Sequence, residues 1–260
     1  TKTVSGYLVK KLRLIARLDV KNDFVIKGIH LEGLRKIGNP NSLALSYYEN
    51  GIDEIIFMDA VAAYYDRNSL SKIIKEACKN IFVPITVGGG IRSIEDIQKA
   101  LDCGADKVAI NTEAIKRPNF IKDASRYFGS QCIVASIEAK KVSANHWEAY
   151  YDNGRESSGK SVLAWIDELQ NLGAGEVMIT SVDNEGVKKG FDIELIQDVS
   201  KICKLPLIVS GGAGKLSHIE DLTEINGIDA VALASVLHYD LEKISSIKDS
   251  LTKIGVHCRR

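Results

Sequence analysis

Two stretches of this chain carry the same pattern of residues about half a chain apart. The first, ITVGGGIRSIEDIQKALDCGADKVAINTEAI, covers residues 85–115, and the second, IVSGGAGKLSHIEDLTEINGIDAVALASVL, covers residues 208–237. Gly89 corresponds to Gly211 and Asp106 to Asp229, at separations of 122 and 123 residues. In both stretches an apolar strand leads through a glycine turn into a helix and a second strand. A repeat of this kind predicts a duplicated strand–helix–strand–helix unit with pseudo-twofold symmetry.

The repeat and the length together predict a (β/α)8 TIM barrel built from two duplicated half-barrels. A chain of 260 residues with 45% hydrophobic content can bury one large core, and such barrels typically form one domain of about 250 residues. We therefore assign residues 1–260 to a single domain. Short, continuous apolar strands that alternate with helices are typical of a barrel rather than of an open doubly wound sheet. The predicted strands cover residues 12–20, 54–58, 82–87, 107–110, 132–137, 176–180, 207–210 and 230–233.

Two segments depart from simple alternation. Residues 21–39 form a long connection after the first strand, and long connections inside compact domains are usually functional lids. After the fifth strand, residues 146–151 alternate in polarity and are followed by Asn153-Gly154, a hairpin turn signal. We predict a lid at the first segment and a small β-excursion at the second.

Composition excludes several classes of protein. Lys plus Arg equals Asp plus Glu, at 34 each, so no overall field indicates nucleic acid or an anionic membrane as a partner. No apolar run approaches the roughly 20 residues of a membrane-spanning helix. The first residues, TKTVSGYLVKK, resemble a short polar lead-in rather than a signal peptide. Five cysteines without CxxC spacing favour a reducing cytoplasm. No cofactor and no metal ion are predicted.

Each half of the repeat contains a candidate phosphate site. Glycines let backbone N–H groups approach an anion closely, and a following helix N-terminus attracts negative charge. One such turn is a weak indication, because glycine turns after strands are common. Two turns in symmetric places predict a ligand with two phosphates. The first cup comprises Gly89, Gly90, Asn111 and Thr112, and the second comprises Gly211, Gly212, Ala234 and Ser235.

Two carboxylates occupy equivalent strand ends in the two halves. Asp19 lies at the end of the first predicted strand and Glu138 directly follows the fifth, so both are expected at the C-terminal mouth of the barrel, where barrel enzymes carry their active sites. Opposed carboxylates can act as general acid and general base on a ligand between them. The alternative is that they cap the following loops or pair with Lys21 and Lys140.

Charged residues at the strand starts form a second pattern. Arg13, Glu54, Lys107 and Glu176 begin the first, second, fourth and sixth predicted strands. Two positive and two negative side chains could close an ionic ring at the N-terminal mouth. The alternative is a solvated rim, in which such charges contribute little.

These residues lie in motifs that resemble the cyclase subunit of imidazole glycerol phosphate synthase. The resemblance extends from Arg13 to the C-terminus. The matching motifs are LDVK with a following VIKG, GIDEIIFMD, PITVGGGI, GADKVAINT, FGSQCIVASIEAK, GAGEVMITSVDNEG and VSGGAGK. The resemblance implies a barrel that receives ammonia from a glutaminase partner at its N-terminal face. It also implies that ammonia reacts with a bis-phosphorylated ribulosyl formimino-carboxamide ribotide to give imidazole glycerol phosphate and an aminoimidazole carboxamide ribotide.

By the same resemblance, Asp19 corresponds to the first catalytic aspartate and the ring becomes the ammonia gate. Lys27 lies in the family's mobile first loop, and Ser181 joins the substrate-binding residues. Two residues depart from the family pattern, because Glu138 and Glu185 stand where aspartates are usual. A displacement of roughly 1 Å in an active site can cost on the order of 10²-fold in rate.

Those departures leave a second hypothesis open. Some relatives are associated with surface-polysaccharide genes, and this chain could channel ammonia to a sugar amidotransferase there. A third possibility, the related single-chain sugar isomerase of histidine synthesis, also has the half-barrel repeat. The charged ring and the SGGAGK cup argue against the isomerase.

Overall fold

Eight parallel strands pair around a closed circle in the computed structural model, which describes residues 10–60 and 70–259. The order β10-β11-β12-β1-β4-β5-β6-β7 is closed by pairing between β7 and β10, which confirms the predicted barrel. Nearly all of the predicted polar lead-in lies outside the described residues. The strands are β1 (Arg13–Lys21), β2 (Phe24–Ile29), β3 (Glu32–Gly38), β4 (Glu54–Asp59), β5 (Ile85–Gly88), β6 (Lys107–Ile110), β7 (Ile133–Ser143), β8 (His146–Tyr151), β9 (Glu156–Ser161), β10 (Glu176–Ser181), β11 (Leu207–Ser210) and β12 (Ala230–Leu233).

Helices follow the barrel strands and cover their outer faces. Two of them, α4 and α9, are short and begin at cup residues, Thr112 and Ser235. No helix of the described ranges is long and apolar enough to cross a membrane. The helices are α1 (Pro40–Glu49), α2 (Ser71–Ala77), α3 (Ile94–Asp102), α4 (Thr112–Lys116), α5 (Asn119–Phe128), α6 (Val162–Leu172), α7 (Ile193–Ile202), α8 (Leu216–Asp221), α9 (Ser235–His238) and α10 (Ile244–Lys253).

Alternation along each strand separates two layers of buried side chains. The outward residues pack against the helices in one large cluster. The inward residues form a smaller cluster that fills the barrel axis, comprising Ile15, Ile56, Ala109, Val134, Met178, Ile208, Ala230 and Ala232. Because successive side chains of a strand point to opposite faces, the residues two positions before and after these also face the axis. The ring residues therefore lie at one end of the axis and the two carboxylates at the other.

The predicted lid is a β-hairpin rather than an irregular loop. β2 pairs with the end of β1 through Val20↔Val25 and Lys21↔Phe24, and β3 completes the hairpin. Asn22, with φ of 55°, makes the tight turn that reverses the chain. The segment folds as a hairpin because Val25 and Ile26 are buried and their backbone groups are hydrogen-bonded as a strand.

The predicted β-excursion is present after the fifth barrel strand. β7 continues past the barrel mouth and pairs with β8, which pairs in turn with β9. Asp152, Asn153 and Gly154 have φ values of 50°, 59° and 71° and form the turn between β8 and β9. This turn lies over the barrel mouth and contributes to the site described next.

Candidate active site

A cavity of about 220 Å³ opens at the C-terminal mouth of the barrel. Both predicted carboxylates, Lys27 and the four residues of the first cup line its wall. Side chains that the sequence analysis did not select also line it, among them Arg17, Asp59, Arg92, Asn153 and Arg155. The described residues contain no group of three or more His, Cys, Asp or Glu side chains arranged to hold a metal ion.

Asp19 is held between two cations. Its Oδ1 accepts a hydrogen bond of 3.0 Å from Nε of Arg17, and its Oδ2 lies 3.8 Å from Nζ of Lys27. Burial acts to raise the pKa of Asp19, but the charges of Arg17 and Lys27 outweigh it and lower the pKa below its usual range. Asp19 is therefore ionised at neutral pH. It pairs with Arg17 and Lys27, not with Lys21, the partner in the non-catalytic alternative.

Lys27 connects the hairpin to the barrel. Its ammonium group contacts both Asp19 and Glu185, and burial lowers its pKa to about 8 while Asp19 acts in the opposite direction. At the tip of the hairpin, the His30 amide donates to the Glu185 carbonyl at 2.8 Å. His30 Nδ1 also lies 3.1 Å from the Val182 carbonyl. The hairpin is thus closed over the mouth, with Lys27 between two carboxylates.

Glu138 has a different environment from Asp19. Its side chain is buried, and Oε2 accepts a hydrogen bond of 2.7 Å from the Gly154 amide in the β8–β9 turn. Burial raises the pKa of Glu138 to about 7, although the Gly154 hydrogen bond and the charge of Arg17 act in the opposite direction. Lys140, the alternative partner, lies over the Tyr150 ring. A carboxyl group that titrates near neutral pH can both take up and release a proton.

The first cup is partly covered by the β-excursion. Asn111 Nδ2 donates to the Tyr150 carbonyl at 3.2 Å, and Thr112 Oγ1 lies 3.2 Å from Asp152 Oδ1. Asn111 Oδ1 is buried without a hydrogen-bond partner. Arg92 and Arg155 line the same cavity as this cup, so the cavity contains cationic side chains as well as the glycine turn.

The second cup is narrower than the first. Gly211 and Gly212 have φ values of 95° and 113°, and together with Ala234 and Ser235 they line a cavity of about 10 Å³. Among the described residues that line it, none is basic, and Glu185 contributes a carboxylate. Ser181 lines neither cavity, and its Oγ lies 3.3 Å from Asn184 Oδ1. The two cups are therefore unequal despite their sequence symmetry.

The four charged residues at the strand starts form a closed ring at the opposite mouth. Arg13 lies 2.5 Å from both Glu54 and Glu176, through its two terminal nitrogens. Lys107 Nζ lies 3.2 Å from Glu54 and 2.9 Å from Glu176. The carboxylates are nearly buried, whereas the two cations are partly exposed. The structure therefore contains a mutual ion-pair network rather than a splayed, solvated rim.

Replacement of Gly89 by alanine is expected to distort the first cup. Gly89 has φ of +83°, and an added Cβ would lie 2.3 Å from the Asp59 carbonyl oxygen. Gly51 is a matched control, with φ of +85° and no atom within 4 Å of the added Cβ. Both variants carry left-handed strain of about 1 kcal/mol, but only Gly89→Ala also forces a backbone shift. Thermal unfolding should show a melting temperature lowered by about 2–4 °C in Gly51→Ala and at least twice that in Gly89→Ala.

Inorganic phosphate binding provides the second readout for that pair of variants. Calorimetric titration should show weaker binding to Gly89→Ala and unchanged binding to Gly51→Ala. Equal melting temperatures and equal phosphate affinities in both variants would contradict the assignment of the cup.

Comparison with known proteins gives a family match that covers all eight barrel strands. Residues 13–242, from the first barrel strand to just before α10, match the family described as histidine biosynthesis protein. The chain belongs to this family. Within it, the chain is 55% identical over 208 residues to imidazole glycerol phosphate synthase subunit HisF of Legionella pneumophila, covering 80% of this chain and 98% of that protein. It is 39% identical over 249 residues to the subunit of the same name from Streptococcus sanguinis, covering 96% and 99% of the two chains. The subunit of Streptococcus mutans is 40% identical over an equal length.

Membership of the HisF family agrees with the resemblance found in the motifs. The structure adds residues that the motifs did not bring forward, chiefly Arg17, Arg92 and Arg155. Arg17 could have been found from the sequence, because it lies two positions before Asp19 on the same strand and must share its face. Arg155 could not, since its place in the cavity depends on how the β-excursion folds back.

Proposed function

We propose that this chain is the cyclase subunit of an imidazole glycerol phosphate synthase. In this role it uses ammonia to convert a bis-phosphorylated ribulosyl formimino-carboxamide ribotide into imidazole glycerol phosphate and an aminoimidazole carboxamide ribotide. The observation that carries the proposal is one cavity lined by Asp19, Glu138 and a glycine cup. The relatives bear the name of this synthase subunit over nearly the full length of the chain.

The two carboxylates support proton transfer at a substrate held between the cups. Burial raises the pKa of Glu138 to about 7, and general acid–base catalysis is most efficient when the pKa lies near the operating pH. Asp19 remains ionised and can stabilise positive charge that develops on the reacting nitrogen. We assign the substrate phosphates to the first cup, with Gly89, Gly90, Asn111 and Thr112, and to the second cup, with Gly211, Gly212, Ala234 and Ser235. Ser181 lines neither cavity, so its assignment to substrate rests on the family resemblance.

The charged ring supports delivery of ammonia from a glutaminase partner. Between the ring and Arg17, the axis is filled by an apolar layer that includes Ile15, Ile56 and Met178. Burying an ammonium ion in such a layer is costly, whereas neutral ammonia can pass at a much lower cost. We therefore propose that Arg13, Glu54, Lys107 and Glu176 form the ammonia gate and that the glutaminase binds the N-terminal face around it. Five unpaired cysteines favour the cytoplasm as the place of action.

Direct assay with ammonium salt tests the proposal without the partner. The purified chain, the ribotide and ammonium chloride should give both products in equal amounts, and raising the pH should increase the rate while free ammonia limits turnover. A folded chain that forms neither product from this mixture would overturn the cyclase assignment. That outcome would favour the ammonia-channelling subunit of a sugar amidotransferase.

A further inference from the structure

Arg17 is a buried arginine that the family motifs do not account for. It lies on β1 between the apolar layer of the axis and Asp19, and it is 4% exposed. A guanidinium group keeps its charge at any physiological pH. Burying that charge is costly unless it is paired and hydrogen-bonded, so its partners indicate what it does.

The guanidinium group of Arg17 donates hydrogen bonds to residues in both halves of the barrel. Its Nε donates to Asp19 Oδ1 at 3.0 Å within the first half. Its Nη1 donates to Thr180 Oγ1 at 3.0 Å and to Ser210 Oγ at 3.4 Å, and both hydroxyls belong to the second half. The two hydroxyl contacts hold the plane of the guanidinium group, and the guanidinium in turn orients the Asp19 carboxylate.

The groups that face the two carboxylates differ in sign. Asp19 faces Arg17 from its own strand, Lys27 from β2 and His238 from α9. Burial lowers the pKa of His238 to about 4, so this imidazole is neutral near pH 7 and the two cations dominate.

Glu138 faces two further carboxylates, Asp19 and Asp152, as well as Arg17. The Gly154 amide supplies its hydrogen bond. Two cations therefore act on Asp19, whereas Glu138 faces the cation of Arg17 and two carboxylates that oppose it.

We propose that Arg17 is a positioning residue that keeps Asp19 an ionised, accepting carboxylate, which leaves Glu138 to carry the transferred proton. The inference rests on the proposed cyclase function and assigns the two carboxylates unequal roles within it. Glu138 takes one proton from the incoming nitrogen and returns one proton to the departing nitrogen, so its carboxylate is regenerated in each cycle. Asp19 begins and ends the cycle ionised. The lowered pKa of Asp19 and the raised pKa of Glu138 agree with this division.

Carbon-13 titration of the side-chain carboxyl groups tests the inference without turnover. Protein labelled at the Asp and Glu carboxyl carbons is titrated from pH 4 to pH 9 as wild type, Arg17→Met and Arg17→Lys. Asp19→Asn and Glu138→Gln assign the two signals. In the wild type, Glu138 should titrate near neutral pH while Asp19 stays ionised throughout. Arg17→Met should move the Asp19 transition upward into the measured range, and Arg17→Lys should restore most of the wild-type behaviour.

Kinetics supply a second, separable readout. In the ammonia-driven reaction, Arg17→Met should lower kcat at least tenfold with KM for the ribotide within about threefold, because the substrate phosphates are bound elsewhere. Arg17→Lys should recover part of kcat. Arg126→Met, on the exposed face of α5, is the control for loss of an arginine and should behave as wild type.

Three results would overturn the inference. One is an Asp19 signal that is the same in Arg17→Met and wild type, and another is a wild-type Glu138 signal that titrates at its ordinary acidic value. The third is a kcat of Arg17→Met within twofold of wild type with an unchanged pH profile. If Arg17→Met does not fold, Arg17→Lys and Arg17→Gln provide the titration. Absence of turnover in the wild type would count against the cyclase function alone, since the titration does not depend on it.

Discussion

Replacing Glu138 by alanine is expected to lower the ammonia-driven kcat by about 10²- to 10⁴-fold, the usual contribution of a positioned acid–base group. The physical reason is that the buried carboxyl group, with its pKa raised to about 7, is the titrating group of the pair near neutral pH. The measurement is steady-state turnover of the ribotide with ammonium salt and no glutaminase. Under these conditions the result reports on the chemistry at the mouth rather than on ammonia delivery.

Two further variants make this result specific. Glu113 also lines the cavity, and its carboxylate is paired with Arg117, so Glu113→Gln should keep kcat within about threefold. Glu138→Asp shortens the side chain by one methylene and withdraws it from the Gly154 amide, so kcat should fall by about tenfold or more. If Glu138→Ala turned over as fast as Glu113→Gln, Glu138 could not be the proton carrier.

Replacing Lys107 by methionine is expected to break the charged ring and to lower the free energy of unfolding by about 2 kcal/mol. Removing one partner of a buried ion pair costs about 3–5 kcal/mol, and the partial exposure of the ring cations reduces this value. In the variant, the carboxylates of Glu54 and Glu176 share Arg13 as their remaining cation in the ring. Urea unfolding at pH 7 measures the effect as a lowered midpoint with an unchanged slope.

A surface pair gives the matched control for the ring. Lys79 and Glu76 form an exposed ion pair at 2.6 Å, and Lys79→Met should change stability by less than about 0.5 kcal/mol. Assays with the glutaminase distinguish an effect on ammonia delivery from an effect on stability. Lys107→Met should alter the glutamine-driven rate and leave the ammonium-driven rate near wild type. Equal unfolding midpoints for the two methionine variants, with unchanged glutamine-driven turnover, would show that the ring contributes neither to stability nor to ammonia delivery.

Much of the candidate site was predictable because strand polarity decides which end of a barrel a residue occupies. Asp19 and Glu138 lie at the C-terminal ends of their predicted strands, and the structure brings them to one cavity. The ring was predictable for the same reason, since its members begin their strands and alternate in sign. The start of the third barrel strand was predicted too early, because Phe82 is 74% exposed and the ladder begins only after Pro84, which has no N–H to donate.

Contacts between distant residues were not predictable from these patterns. Arg17 meets Thr180 and Ser210 across 163 and 193 residues of sequence. The Gly154 amide reaches Glu138 because the β-excursion turns back over the mouth. Alternation and turn signals predict that a hairpin exists, but not the direction in which it folds or which atom it places beside a carboxylate.

The sequence by itself determined the barrel, its internal duplication, the charged ring and the pair of carboxylates. Each of these depends on local periodicity and on the order of strands along the chain. In a parallel barrel, the start and the end of a strand lie at opposite mouths, so a residue's place in its strand decides its place in the barrel. Only the tertiary structure decided that Asp19 pairs with Arg17 and Lys27 rather than Lys21, and that the duplicated cups are unequal. Ionisation depends on burial and on charges brought together from remote segments. Two carboxylates in equivalent sequence positions therefore differ in charge state.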